Sequence, residues 1–460
     1  MKYRIESDTI GEVKIPEDSL WGPQTQRSIE NFKIGKPSSM PIEIIKAYSI
    51  LKKSCAQANH ESKILDNKKM KLISEVCDEI LEGIHDNEFP LVIWQTGSGT
   101  QTNMNINEVI SNRANIILGK TLIDDKFIKA NDDVNMSQSS NDSFPTAINI
   151  AVTKLLLEKT IVSIENFIKT LKSKVNEFSK EVKIGRTHLM DATPLTLGQE
   201  FSGYESQISH GLKSLKNSLS HVKELAIGGT AVGTGLNTPL NFDKIVVKNI
   251  CNQTNIDFKP AENKFESIAS NDALVETHGA LKQISVSLFK IVNDIRLMGS
   301  GPRSGFAELI LPANEPGSSI MPGKVNPTQC EAVSMVCTQV LGNDTTVSFA
   351  ASQGHLELNA FKPVIAHKLI ESIHLLSDSI DSFGKNCLSG LKANKEKINQ
   401  HLNSSLMLVT ALNKRIGYYK AAEIANKSYK NGTTLEEEAI KSGFVTKKQF
   451  KDGVKPEDMV

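Results

Sequence analysis

The segment Gly317-Ser-Ser-Ile-Met-Pro-Gly-Lys-Val-Asn-Pro-Thr-Gln-Cys-Glu331 sets two serines, a lysine, an asparagine and a carboxylate around two glycines, with little bulk to fill a core. Gly317 and Gly323 can adopt backbone angles closed to other residues, which suits the pivots of a mobile loop. Asn326, Pro327 and Gln329 spell a helix start: a cap, a first-turn proline and a capping-box partner. Free N–H groups at such a start attract anions, here beside the ammonium of Lys324. The chemistry within reach is to hold a carboxylate or phosphate and to move a proton next to it. A P-loop is excluded, because it places four residues between its first glycine and Gly-Lys and then Ser or Thr; here five intervene and Val325 follows. The plain alternative is an ordinary capped helix after a surface loop.

Three further clusters weigh against that plain reading. Gln95-Thr-Gly-Ser-Gly-Thr-Gln-Thr-Asn-Met-Asn105 runs into the helical pattern of Glu108, Val109, Ile110, Ala114 and Ile117. Its Gly97-Ser98-Gly99 is half of a dinucleotide fingerprint, but Thr102 stands where the third glycine belongs and no strand–helix–strand unit surrounds it. Ser137-Gln-Ser-Ser-Asn-Asp-Ser143 precedes Pro145, and Gly185-Arg-Thr-His-Leu189 reads as the end of the helix that follows. Each polar helix start is simplest as a cap; together with Lys324 they supply neutral donors and one cation for a small dianion such as a dicarboxylate. His188 is the one histidine in these clusters. His367 and His374 lie a heptad apart and form no close metal set. Asn131-Asp132-Asp133 lacks the glycine and glutamate of a calcium loop, so no metal is expected.

Long helices must carry these clusters. No proline falls between Pro145 and Pro194, between Pro260 and Pro302, or between Pro327 and Pro363. In the first gap Leu155, Leu156, Ile161, Ile164, Phe167, Ile168, Leu171, Val175 and Phe178 recur mostly at three- and four-residue steps, a helix of roughly 35 residues and about 50 Å. Ile284, Leu288, Ile291, Val292 and Ile295 form a second stripe; Val333, Val336, Val340 and Leu341 form a third. Such helices indicate a bundle rather than an α/β fold, and apolar residues on several faces indicate a homo-oligomer. Asn141 and His188 then fall at opposite ends of one helix and can share a pocket only if different subunits supply them. The expected parts are a mixed helix and loop region at 1–140, a central long-helix bundle at 141–360 and a small helical domain at 361–460. With 53 Lys plus Arg against 52 Asp plus Glu and a net charge of +1, neither nucleic acid nor a membrane surface is an expected partner. Six cysteines without a C-x-x-C pair, and an N-terminus without a secretory apolar run, point to a cytoplasmic protein.

These residues make the chain similar to the fumarate hydratase branch, the class II fumarases, of the fumarase/aspartase superfamily. The resemblance runs over nearly the whole chain, through Gly97–Asn105, Ser139-Ser-Asn141, Gly185-Arg-Thr-His188, Thr230-Ala-Val-Gly-Thr-Gly-Leu-Asn237, Gly317–Pro327 and the tail Lys455-Pro-Glu-Asp-Met-Val460. The long Gly-Ser-Ser motif is specific for the superfamily; aspartases resemble this chain but usually carry Gln where His188 stands and differ around Ser98. The resemblance implies an all-α fold, a long-helix bundle of three mostly helical domains. It implies a homotetramer with a helical core and active sites built from three chains. It also implies reversible anti addition of water to fumarate, giving L-malate through an aci-carboxylate carbanion without a cofactor. By the same resemblance Ser318 is the base, and His188, polarised by Glu331, is the acid. Lys324 and Asn326 bind the carboxylate that takes up charge, while Ser98, Gly99, Thr100, Ser139, Ser140, Asn141, Thr187, Ser319 and Val325 line the rest. The family's second anion site, near a His-Pro-Asn-Asp motif, here reads Lys129-Ala130-Asn131-Asp132 with Lys126 ahead of it, cationic but without the histidine. The alternatives are an aspartate ammonia-lyase and an inactive structural relative; intact Ser318, His188, Lys324 and Glu331 speak against the second.

Overall fold

Apolar side chains at three- and four-residue steps decide most of the architecture. The computed structural model describes residues 2–460. The strands β1 (Tyr3–Asp8) and β2 (Gly11–Pro16) pair antiparallel ahead of α1 (Pro23–Asn31), α2 (Ile42–Glu61), α3 (Asn67–Leu81) and α4 (Thr100–Ile117). Next, α5 (Ser140–Leu155) passes through a π-helical turn, Leu156–Thr160, into α6 (Ile161–Glu177), so the long helix expected after the Ser137–Ser143 cluster is present. A second antiparallel hairpin, β3 (Val182–Thr187) and β4 (Met190–Thr196), leads into α7 (Leu197–Val222). Then come α8 (Phe242–Thr254), α9 (Lys264–Ala269), α10 (Asp272–Met298), α11 (Thr328–Ala351) and α12 (Lys362–Asn386), followed by shorter helices. Helix accounts for 62% of the chain and the sheets are only two-stranded pairs, so the class is all-α.

By compactness the chain forms two units. One comprises Met1–Val162, Lys213–Gln283 and Gln339–Leu376; the other comprises Ser163–Leu212, Ile284–Thr338 and Ser377–Val460. In the first, Ile44, Tyr48 and Leu51 of α2, Ile106 and Ile110 of α4, and Phe144 of α5 are buried, with the Tyr48 and Phe144 rings stacked at 6.1 Å. In the second, Ile164, Phe167 and Leu171 of α6 and Ile284, Leu288, Ile291 and Ile295 of α10 are buried, and Phe167 meets Phe383 at 5.9 Å. Each such side chain contributes roughly 1.5–3 kcal/mol by leaving water. A separate cluster holds the last short helices together: Leu402, Leu408, Leu412, Ile424, Leu435 and Phe450, with Ile184 of β3.

Three local expectations are corrected. The buried stripe of α11 is Cys330, Val333, Cys337, Val340 and Val347, whereas Val336 and Leu341 are only half-buried. Cysteine is small and apolar enough to serve as a core residue, so the three- and four-residue alternation runs through it. Asn326 does not cap a helix. The helix begins at Thr328, the Asn326 amide donates to the carbonyl of Gly317, and Gln329 accepts from Ser382 Oγ at 2.9 Å instead of closing a capping box. Finally, Gly185–Leu189 is a hairpin and not a helix end, because β-branched and extended residues on both sides find a ladder partner in each other.

Candidate active site

The first unit presents two polar helix starts. Gly97 and Gly99 are required by close approach: a Cβ at Gly97 would lie 1.5 Å from the Ala360 carbonyl oxygen, and one at Gly99, where φ is +76°, would lie 2.4 Å from the Phe144 ring. The chain can therefore turn sharply into α4 with Ser98 and Thr100 side by side, their hydroxyl oxygens 2.9 Å apart. At the second start Ser139 caps α5 by accepting from the Asn141 N–H at 3.2 Å, while the Asp142 carboxylate accepts from the Ser139 N–H at 2.9 Å. The other oxygen of Asp142 accepts from Gly228 N at 3.0 Å and Thr230 N at 2.9 Å, and Asn141 Nδ2 donates to Ala231 O at 2.8 Å. Asp142 thus ties the Ser139–Asn141 turn to the Thr230–Asn237 loop. Burial raises its carboxyl to about 7 against these donors.

Sequence reasoning passed over Lys52, which is fully buried beneath this turn. Its signal was available: in α2 a lysine occupies the apolar face one turn from Tyr48 and three residues from Cys55, both buried.

Lys126, Lys129, Ala130, Asn131 and Asp132 also belong to this unit. Ala130–Val134 is a π-helical turn, with Asn131 and Asp132 exposed. Lys129 Nζ pairs with Asp125 at 2.6 Å, and Lys126 Nζ donates to the Leu122 carbonyl and lies 3.9 Å from Glu6. A cavity of about 450 Å³ adjoins Lys126, Lys129, Ala130 and Asn131, but both ammonium groups already have local acceptors.

The second unit carries the remaining candidates on two projections. Thr187 and His188 sit at the tip of the β3–β4 hairpin, where His188 and Leu189 both take left-handed backbone angles, φ 56° and 62°. Non-glycine residues rarely hold such angles unless the turn demands it. The hairpin is anchored by Glu308, wholly buried: its carboxylate lies 2.8 Å from Arg186 Nη2 and 3.4 Å from Lys183 Nζ, and the Arg186 guanidinium stacks 4.4 Å from the Phe306 ring centre. Sequence reasoning missed Glu308, which has no motif of its own.

The other projection is the Gly317–Asn326 loop. Gly317 N donates to Lys324 O at 2.9 Å, and the Asn326 amide closes on the Gly317 carbonyl, so the loop has a pinned neck. A Cβ at Gly317 would lie 2.4 Å from that Lys324 oxygen, which explains the glycine. Inside the loop Ser318 Oγ accepts N–H bonds from Ile320 at 3.2 Å and Met321 at 3.0 Å. Ser319, Lys324 and Val325 are exposed, as is Glu331 on the first turn of α11. Two backbone donors on one hydroxyl oxygen favour negative charge there. Among the described residues no group of three or more His, Cys, Asp or Glu is placed to hold a metal ion.

Taken together, the fold and these groups define a helical lyase. Residues 11–342 match the family model described as Lyase, and residues 408–460 match the one described as Fumarase C C-terminus. The class II fumarate hydratase of Pasteurella multocida is 60% identical over 460 residues, covering 100% of this chain and 99% of that protein. The mitochondrial fumarate hydratase of Rhizopus oryzae is 54% identical, covering 100% of this chain and 93% of that protein. Among solved structures, the class II fumarase of Schistosoma mansoni superposes with a TM-score of 0.97 at 43% identity, covering 100% of this chain and 99% of that one. The chain belongs to the class II fumarate hydratase family.

Proposed function

We propose that the protein catalyses the reversible anti hydration of fumarate to L-malate, a step of the tricarboxylic acid cycle. The observation that carries this reading is the Ser318 hydroxyl, held by two loop N–H groups on the segment that also bears Lys324. Removing the proton beside a malate carboxylate leaves an aci-carboxylate, which needs strong charge stabilisation. Ser318 takes that proton as its oxygen is stabilised by Ile320 N–H, Met321 N–H and the nearby cation. Lys324 and Asn326 hold the carboxylate that gains charge. His188, polarised by Glu331, protonates the departing hydroxyl from the opposite face and, in the hydration direction, activates water. Ser98, Gly99, Thr100, Ser139, Ser140, Asn141, Thr187, Ser319 and Val325 fix the dicarboxylate, and no cofactor takes part. Lys126, Lys129, Ala130, Asn131 and Asp132 form at most a weak second anion site, since both lysines have other partners.

The working form is a homotetramer in the cytoplasm, with each active site drawing on three chains. The segments 1–140, 141–360 and 361–460 are its N-terminal, central and C-terminal domains. Exposed apolar side chains support the assembly: Met335 and Phe349 on α11 are 68% and 70% exposed, and Leu189 and Met190 beside His188 are 68% and 70% exposed. Among the described residues no helix is long and apolar enough to cross a membrane. The test is a side-by-side assay of fumarate, malate and aspartate without added metal. Loss of fumarate absorbance with formation of malate supports the proposal. Ammonia from aspartate without malate turnover, or no turnover at all, overturns it.

A further inference from the structure

Lys52 is a buried cation with no contacting counter-ion. Its three N–H donors go to three neutral amide oxygens: Asn103 Oδ1 at 2.7 Å, Asn135 Oδ1 at 3.0 Å and Gln138 Oε1 at 2.9 Å. An ammonium has no more donors than these, so it is fully engaged and yet not neutralised. Asp142, the carboxylate whose charge reaches Lys52, spends its oxygens on the backbone N–H groups of Ser139, Gly228 and Thr230. Burying an uncompensated charge is costly, and a protein core would be better served by an apolar side chain of the same shape.

The bonds beyond Lys52 show where that cost is put to use. Asn103 Oδ1 is fixed on the lysine side, which turns its Nδ2 to Ser140 Oγ at 3.2 Å and Asn135 Oδ1 at 3.0 Å. Ser140 Oγ therefore accepts from Asn103, and its own hydrogen is left to donate outward. Hydrogen bonds in such a chain polarise one another, each strengthening the next. Ser140 stands at the start of α5, where the helix already favours an anion.

We propose that Lys52 is a positioning residue for the substrate dianion: acting through Asn103, it aims the Ser140 hydroxyl at a substrate carboxylate, and its own charge is balanced when that dianion binds. This rests on the reading of Ser139–Asn141 as a dicarboxylate site. The groups that face Lys52 are Asp142 on α5, Cys77 on α3, and Cys55 and Tyr48 on its own helix, the Tyr48 ring centre 5.7 Å away. Burial pushes both thiols and the phenol up, so they stay neutral, and burial lowers Lys52 itself to about 8. As pH rises through that value the free protein loses the lysine proton, and binding of the dianion weakens.

The experiment measures kcat and KM for fumarate from pH 7 to 9.5 in the intact wild type, Lys52→Met and Asn103→Asp. The aspartate variant keeps Lys52 paired and buried while cancelling its charge and removing the donor to Ser140, so it separates charge from folding. In the wild type KM rises above about pH 8. Both variants raise KM roughly tenfold or more at pH 7, with kcat within about threefold, and lose the alkaline rise. A wild-type KM flat across this range, an unchanged KM in either folded variant, or a loss confined to kcat overturns the role of Lys52. Absence of fumarate turnover in the wild type instead overturns the proposed activity, so the two failures are told apart.

Discussion

Ser318 has one hydroxyl and two N–H donors pointed at it, from Ile320 and Met321. An alcohol is a poor base in water, and those two donors lower the cost of its oxyanion. Ser318→Ala is expected to cut kcat about 1000-fold while melting temperature and subunit mass stay at wild-type values. A rate near wild type would remove Ser318 from the mechanism. Glu308 makes a different kind of contribution, since it touches only Arg186 and Lys183 below the His188 tip. Its two oxygens are held by charge rather than by aligned hydrogen bonds. Glu308→Gln leaves the Arg186 guanidinium without its counter-ion, while Lys183 keeps Glu200 at 3.1 Å, and should destabilise the protein by about 3 kcal/mol, read as an earlier urea midpoint.

Helices and hairpins place these side chains, and some of them are tied by ion pairs that respond to pH. Glu79 on α3 accepts from Arg113 on α4 at 2.6 Å and from His85 at 2.7 Å. Its carboxyl is lowered from 4.5 to about 2, first by the Arg113 bond and then by His85. A depressed carboxylate stabilises the fold fully above its unfolded value and loses that contribution as pH falls through the folded one. Thermal melts between pH 4.5 and 2 should therefore show a decline that Arg113→Met flattens; equal slopes in both proteins would exclude this pair as the cause. The β3–β4 hairpin is the other informative element. A six-residue strand, two left-handed tip residues and a seven-residue return strand carry His188 outward, which no helix end could do.

At the scale of the whole molecule the polar clusters fall into two sets, one on each compact unit. Ser98, Thr100 and Ser139–Asn141 belong to the first; Thr187, His188 and Ser318–Glu331 belong to the second. If the working site draws these sets from different subunits, two inactive variants can restore each other. Ser318→Ala and Asn141→Ala, unfolded together and refolded as a mixture, should give activity at least about tenfold above either alone, because some hybrid sites then hold an intact Ser318 and an intact Asn141. A mixture no more active than its parents would favour sites built within single chains. If the exposed Met335 and Phe349 of α11 are buried between subunits, Phe349→Asp should lower the mass seen by light scattering.

The amino-acid sequence alone determined that the chain is helical and where its reactive groups lie along it. The stripe of Ile284, Leu288, Ile291 and Ile295 is wholly buried as its spacing requires, and the long helix beginning at Ser140 follows from a proline-poor, periodic run. Periodicity is a local property, so it survives being read one residue after another. The Gly-Ser-Ser and Gly-Arg-Thr-His motifs were legible for a similar reason: unusual residue types cluster within a few positions. Only the tertiary structure decided the hairpin under His188, the loop neck between Gly317 and Asn326, and the cysteine-led seam of α11. It alone placed Lys52 under Ser140 and Glu308 under Arg186, partners 88 and 122 residues apart in the chain. Such pairings depend on which segments meet after folding, and that is set by the packing of the whole core rather than by any window of sequence.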